Sequence, residues 1–384
     1  MSIAILGFGN IGGASFKLIK QNQSLVQNAL KQVHHKSNEC LVKYVMTRRE
    51  ISKDILGVTK WTNNIDDILN DKDVKIVIET IGGTELAFEY SKKILNSGKH
   101  LISANKDLIA SRSHELSKLA DKHNVKFLFE ASCCGGIPIV KTLKDRARFA
   151  KITSLNGIVN GTSNYILTKM YDNDMDFASA LKMAMDLGYA EADPRSDIDG
   201  IDAAYKATIL ASICFGGFVD FASVIFKGIK DITKKDIEYA KSLGLKIKLL
   251  AIIKNHDDKG GLQKDMFVGV LPCLVTPNSQ LYLTDSNLNG VEVCVQNQGK
   301  FFFSGPGAGG GETSASIFND LMDVLMDGSL NHFGFCNDNY INLGSSSGQN
   351  TFNIVKSDGD GYYHFDNCNI NLLDIKNTKF FIKL

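Results

Sequence analysis

Ser2-Ile3-Ala4-Ile5-Leu6-Gly7-Phe8-Gly9-Asn10-Ile11-Gly12 opens the chain with an apolar run that ends in a glycine-rich turn. The run reads as a buried strand, and Ile11–Lys20 behind it as an amphipathic helix. A G-x-G-x-x-G turn says little by itself. Between a strand and a helix it has a physical purpose: glycines permit the tight turn, keep side chains out of a phosphate's path and let the helix pack on the strand. The helix start then offers free N–H groups and a partial positive charge. The stretch points to a dinucleotide-binding α/β domain, with Gly7, Phe8, Gly9, Asn10, Ile11 and Gly12 against the pyrophosphate.

The next elements repeat that pattern. Leu41–Thr47, Lys75–Glu79, Lys99–Ser103 and Lys126–Glu130 read as further strands, and Glu85–Ser97 and His114–His123 as helices. Strands apolar on both faces and alternating with helices make a doubly wound parallel sheet of Rossmann type. Gln21–Asn38 is polar and reads as a loop or frayed helix. After Glu130 the pattern changes. A helix from Pro138, a strand at Ile152–Ile158, several helices to about Leu249, and strands at Met266–Leu271, Val291–Val295 and Phe301–Phe303 suggest a second, α+β domain. The turn Ser304–Gly311 and the helical pattern Thr313–Met326 follow. The expected organisation is a cofactor domain at 1–130 completed by 305–327, a substrate domain at 131–304, and an extension at 328–384.

Composition narrows the function. Lys+Arg 43 against Asp+Glu 42 gives a formal charge of +1, and no basic stripe interleaves with aromatics, so nucleic acid is not the expected partner. No apolar stretch approaches the ~20 residues that cross a bilayer. The eight cysteines are scattered, and the eight histidines lack zinc-ligand spacing. With no leader before the first strand, the reading is a reduced, cytoplasmic protein.

Two segments carry chemistry. Ser103-Ala104-Asn105-Lys106 follows a strand at the carboxyl edge of the sheet, where open α/β sheets bind ligands. Gly188–Lys206 holds five carboxylates and then a helix from about Ile201, on which Asp202 and Lys206 share a face. That helix is otherwise unusually apolar, and a desolvated lysine exchanges its proton nearer neutrality. An exposed i,i+4 ion pair is the competing reading. At the end of the second strand, Arg48 and Arg49 stand where an acidic residue would favour NAD. Arginine suits the 2′-phosphate of NADP. Two solvated arginines beside Glu50, with NAD in use, is the alternative.

The segment GYAEADPRSDIDGIDAAYK resembles the signature of the homoserine dehydrogenases. Glu130–Pro138, Asn156–Leu167 and Gly305–Leu321 are similar to that family's other motifs in the same order, so the resemblance spans Ser2 to about Asp327. It implies reversible NAD(P)-dependent reduction of L-aspartate 4-semialdehyde to L-homoserine, in the threonine/methionine branch of amino-acid biosynthesis, by a homodimer. It implies that Lys206 is the proton donor, Lys106 a second active-site lysine and Asp202 the group that holds Lys206. Glu191, Asp197, Tyr189, Gly161 and Thr162 match substrate positions, with Glu191 on the substrate ammonium. Thr80, Ser103, Lys106, Gly307 and Glu312 join the cofactor residues. A monovalent cation of sodium type is implied at Glu130 and the carbonyls of Cys133, Gly135 and Ile137.

Three departures stand out: the adjacent thiols Cys133 and Cys134, expected to add oxidation sensitivity, Glu312 where the family more often has an apolar residue or proline, and a tail without the helices of a complete ACT domain. Another amino-acid dehydrogenase, or a silent NADP-binding sensor, are the rival readings. Retention of both lysines argues against the sensor.

Overall fold

The computed structural model describes residues 1–34, 41–256, 265–326, 331–333, 340–341, 343, 351–357, 363–369 and 380–383. They fall into two compact units, Met1–Asp145 with Ala308–Asp338, and Arg146–Gly307 with Asn339–Leu384. The division expected at Glu130 thus lies inside the first unit, and the described strands of the tail cluster with the second.

In chain order the first unit runs β1 (Ser2–Leu6), α1 (Asn10–Gln21), α2 (Gln23–His34), β2 (Val42–Met46), α3 (Lys53–Leu56), β3 (Lys60–Thr62), α4 (Ile65–Leu69), β4 (Val74–Glu79), α5 (Glu85–Asn96), β5 (His100–Ser103), α6 (Lys106–Lys122), β6 (Phe127–Leu128) and α7 (Ile139–Ala147). Its six strands lie in the order β3-β2-β1-β4-β5-β6, all parallel. This is the doubly wound order, with the switch point beside β1. Ile3 and Ile5 of β1 pack with Phe16 and Ile19 of α1 in one core.

Two expectations change here. The polar crossover is a full helix, α2, because Val26, Ala29 and Leu30 make an apolar stripe buried in that core; the six residues beyond it lie outside those described. The helix read as His114–His123 starts at Lys106, where Asn105 caps it by accepting from the Leu108 N–H at 3.1 Å.

The second unit runs β7 (Ile152–Ile158), α8 (Gly161–Asp172), α9 (Phe177–Asp186), α10 (Arg195–Ile198), α11 (Ile201–Phe215), β8 (Phe218–Val219), β9 (Ile225–Phe226), α12 (Lys234–Ser242), β10 (Lys246–His256), β11 (Asp265–Val275), β12 (Leu288–Val295) and β13 (Gly299–Pro306). The chain then returns to the first unit as α13 (Gly310–Met326), whose Ile317, Leu321 and Leu325 enter the core around β1. The tail adds β14 (Tyr340–Ile341), β15 (Thr351–Ser357), β16 (Tyr363–Asn369) and β17 (Phe380–Lys383).

The large mixed sheet has the order β13-β12-β7-β10-β11-β17-β15-β16, with β9 also on β11. The helical reading up to Leu249 misses β10, an eleven-residue strand aligned along its length with β11. Helix α11 is mostly apolar and nearly every residue is buried, Asp202 and Lys206 included, as befits a core helix.

Candidate active site

In the first unit the glycine turn is held from below. A β-carbon on Gly7 would sit 2.6 Å from the Thr80 carbonyl oxygen, and one on Gly12 only 2.3 Å from the Gly7 carbonyl oxygen. Both glycines are required by the chain itself. Gly9 is different: a β-carbon there meets nothing within 4 Å. Its glycine keeps open the space in front of α1, whose first turn has no acidic residue and no capping side chain. Free N–H groups facing an open cradle suit a pyrophosphate. The Thr80 hydroxyl donates to Leu6 O at 3.0 Å, so this residue supports the turn.

The returning turn reaches the same place. Gly310 lies against Asn10, whose Oδ1 would be 2.6 Å from a β-carbon. Glu312 is half-buried in the first turn of α13, where a carboxylate is favoured by the helix dipole. Gly307 clusters with the second unit, packed on the buried side chain of Asn289.

At the carboxyl edge, Ser103 is fully buried and its hydroxyl donates to Glu79 Oε2 at 2.5 Å. Glu79 Oε1 accepts from the Ile81 N–H at 2.8 Å, and burial pushes its carboxyl above the usual range. Asn105 ties this edge to Gly83 O at 2.6 Å. Lys106, the first residue of α6, is half-buried. Arg48 and Arg49 are exposed just after β2.

The loop after β6 is closed by its own hydrogen bonds. Glu130 is buried; its two carboxylate oxygens accept from the N–H groups of Val140 (2.9 Å) and Lys141 (2.7 Å) at the start of α7. Burial raises its pKa, against the pull of those bonds and of Lys144. The Gly135 carbonyl accepts from Ser316 Oγ at 2.7 Å and that of Ile137 from the Ile139 N–H at 2.8 Å. One carboxylate and several carbonyls suit a hard monovalent ion, and each carbonyl has a second lone pair. Cys133 and Cys134 carry no disulfide and have no exposed surface, which withholds them from solvent oxidants.

In the second unit Asp197 and Asp202 converge on Asn160, a residue whose importance sequence reasoning missed. Asn160 Oδ1 caps α8 by accepting from Ser163 N–H at 2.8 Å. Its Nδ2 donates to Asp197 Oδ1 at 2.7 Å and Asp202 Oδ2 at 2.9 Å. Lys206 Nζ donates to the same Asp202 oxygen and to Val159 O, both at 2.8 Å. The Lys206 and Asp202 side chains retain only 11% and 8% exposure, so this is a buried pair and not a surface one.

The residues expected to meet the substrate lie on the neighbouring elements of this unit. Asp197, half-buried, has its pKa raised by burial, with the Asn160 bond opposing and the Asp202 charge adding. Thr162 Oγ1 donates to Tyr189 O at 2.7 Å, and the Tyr189 ring lies 4.9 Å from that of Tyr165. Glu191 is exposed. A β-carbon on Gly161 would be 2.7 Å from Asn287 O, so glycine is required there. The one local signal for Asn160 was its place before a helix with serine at the third helical position.

A family model described as homoserine dehydrogenase matches residues 138–322. A second, homoserine dehydrogenase, NAD binding domain, matches 7–130. The chain is 38% identical over 331 residues to a homoserine dehydrogenase of Bacillus subtilis, covering 84% of this chain and 72% of that one. It is 35% identical over 335 residues to one of Helicobacter pylori, covering 87% and 76%. The solved structure of a homoserine dehydrogenase from Thiobacillus denitrificans is similar with a TM-score of 0.82 and 32% identity, over 93% of this chain and 82% of that one.

Proposed function

This chain belongs to the homoserine dehydrogenase family, and from that premise we propose a role for each part of its site. Its activity is the NAD(P)-dependent, reversible reduction of L-aspartate 4-semialdehyde to L-homoserine. When bound, the reduced nicotinamide dinucleotide supplies the hydride.

The chain's own residues do the rest. Gly9 and the start of α1 hold the pyrophosphate, Arg48 and Arg49 select NADP through its 2′-phosphate, and Gly307, Lys106 and Glu312 complete the cofactor contacts. Lys206 gives a proton to the aldehyde oxygen as negative charge develops there. An ammonium has three donors, and two of those on Lys206 are engaged by Asp202 and Val159. Among the described residues nothing takes the third, which leaves it for the substrate, and this is the observation that carries the reading. Asp202 aims Lys206 through its hydrogen bond. Glu191 and Asp197 bind the substrate's ammonium, and Thr162 fixes the Tyr189 segment.

Mixing the protein with homoserine and NADP or NAD tests the proposal. Reduced nicotinamide should accumulate, faster with NADP. No absorbance change with either cofactor in sodium or potassium buffer would sink it.

A structural monovalent cation at Glu130 and the carbonyls of Cys133, Gly135 and Ile137 is part of the proposal, supported by the donor set. It should raise the melting temperature in sodium over choline chloride at equal ionic strength, and Glu130→Gln should remove the difference. A homodimer in the cytoplasm is also proposed. Among the described strands β13 lies at an edge of the large sheet, which supports the dimer, and sedimentation at the monomer mass would refute it. Among the described residues no helix is long and apolar enough to cross a membrane.

A further inference from the structure

The chain holds one tryptophan. Trp61 is the middle residue of β3, the edge strand beside β2. Its ring is half-buried against the first unit's core, and its one polar atom faces the turn that follows β2. The indole N–H lies 3.0 Å from Thr47 Oγ1 and 3.1 Å from the Arg49 carbonyl oxygen. The Thr47 hydroxyl donates to that same carbonyl at 2.6 Å, while the Thr47 N–H donates to Thr62 O at 3.1 Å. Three groups close a ring around the two peptides that carry Arg48 and Arg49.

Such a ring has a purpose on an exposed turn. Adjacent guanidinium groups repel, and an unrestrained turn would lose entropy on closing over an anion. A turn already fixed by the indole presents its arginines at lower ordering cost, and a guanidinium fork binds phosphate oxygens best when its base does not move. NAD lacks the phosphate that would benefit.

We infer that Trp61 is a positioning residue for cofactor choice: through its indole N–H it fixes the Thr47–Arg49 turn so that Arg48 and Arg49 grip the 2′-phosphate of NADP. The inference rests on the reading of those arginines as the phosphate-binding pair.

Trp61→Phe keeps an aromatic ring in the core and removes only the N–H. In the full chain, calorimetric titration with adenosine 2′,5′-bisphosphate should show binding weakened about three- to tenfold, the effect of one lost hydrogen bond. Titration with adenosine 5′-phosphate should change little. In steady-state assays the loss should be in KM for NADP, with kcat and the KM for NAD nearly unchanged. Thr47→Val, which removes the other side-chain member of the ring, should act in the same direction and less than additively with Trp61→Phe. This second variant decides the matter if Trp61→Phe folds poorly.

Equal weakening of both nucleotides by Trp61→Phe would reduce the residue to packing and overturn the inference. So would unchanged bisphosphate affinity in Trp61→Phe while Arg48→Ala/Arg49→Ala lowers it. If the arginine double variant itself leaves bisphosphate affinity intact, the 2′-phosphate reading has failed and the inference falls with it.

Discussion

The second unit buries two lysines in much the same way, at Lys206 on α11 and Lys248 on β10. Each donates to an aspartate and to a backbone carbonyl: Lys206 to Asp202 and Val159 O, Lys248 to Asp285 and Thr284 O. Lys248 has one more partner, Asn164 Oδ1 at 3.0 Å. All three of its donors are engaged inside the protein, and Asn164 in turn donates to Thr284 O and Leu288 O. The cluster fastens α8 to the segment before β12. Among the described residues nothing engages the third donor of Lys206. Burial and an ion pair are therefore common to a structural lysine and a reactive one; an unengaged proton is what a donor to substrate additionally needs.

The largest expected effect tests the reactive side. Lys206→Met should lower kcat by roughly 10²- to 10⁴-fold, the range for a lost general acid, in protein that remains folded by circular dichroism. Full turnover in that variant would erase the contrast between the two lysines.

Lys248→Met should do the opposite. It leaves Asn164 Oδ1 and Thr284 O without that donor and Asp285 with Lys246 alone, and a buried acceptor left unsatisfied costs about 1–3 kcal/mol. Chemical denaturation should show that loss, while turnover per folded molecule stays of the same order. A collapse of kcat without loss of stability would place Lys248 in the catalytic machinery.

Asp202→Asn is a finer probe. It preserves the Lys206 contact in shape but removes the charge, and kcat should fall on the order of ten- to a hundredfold, as for a group that orients another. The smallest effect is in pH dependence. Burial pulls the Lys248 pKa down from 10.5 to about 8. Between those values the unfolded chain binds a proton that the folded chain does not, so stability rises with pH relative to Lys248→Met and the gain is lost as pH falls through about 8. Melting curves of the two proteins at pH 7.5 and 10 would measure it. No pH-dependent divergence would mean that Lys248 titrates alike in both states.

Much of this was legible without coordinates. The glycine turn between β1 and α1 is a local device: its strand, its helix and its spacing lie within 20 residues, and periodicity reveals them. The same holds for Asp202 and Lys206, four apart on an apolar helix. Helix α2 was harder, because its apolar stripe is narrow within a polar segment. Strand β10 was missed because Lys246, Lys248 and Lys254 interrupt its apolar run. Burying Lys248 is allowed only by Asp285, Asn164 and Thr284, which come from elsewhere in the sequence.

By itself, then, the sequence determined the doubly wound domain, the glycine turn and the identity of the carboxylate-and-lysine segment, because each is written in residues that are near neighbours. The tertiary structure decided which glycine is empty for a ligand and which is filled by the chain, that Asn160 joins Asp197 to Asp202, and that Trp61 reaches the turn of Arg48 and Arg49. Those facts depend on atoms that the fold brings together, where hydrogen-bond geometry and burial assign the partners and sequence spacing carries no trace of them.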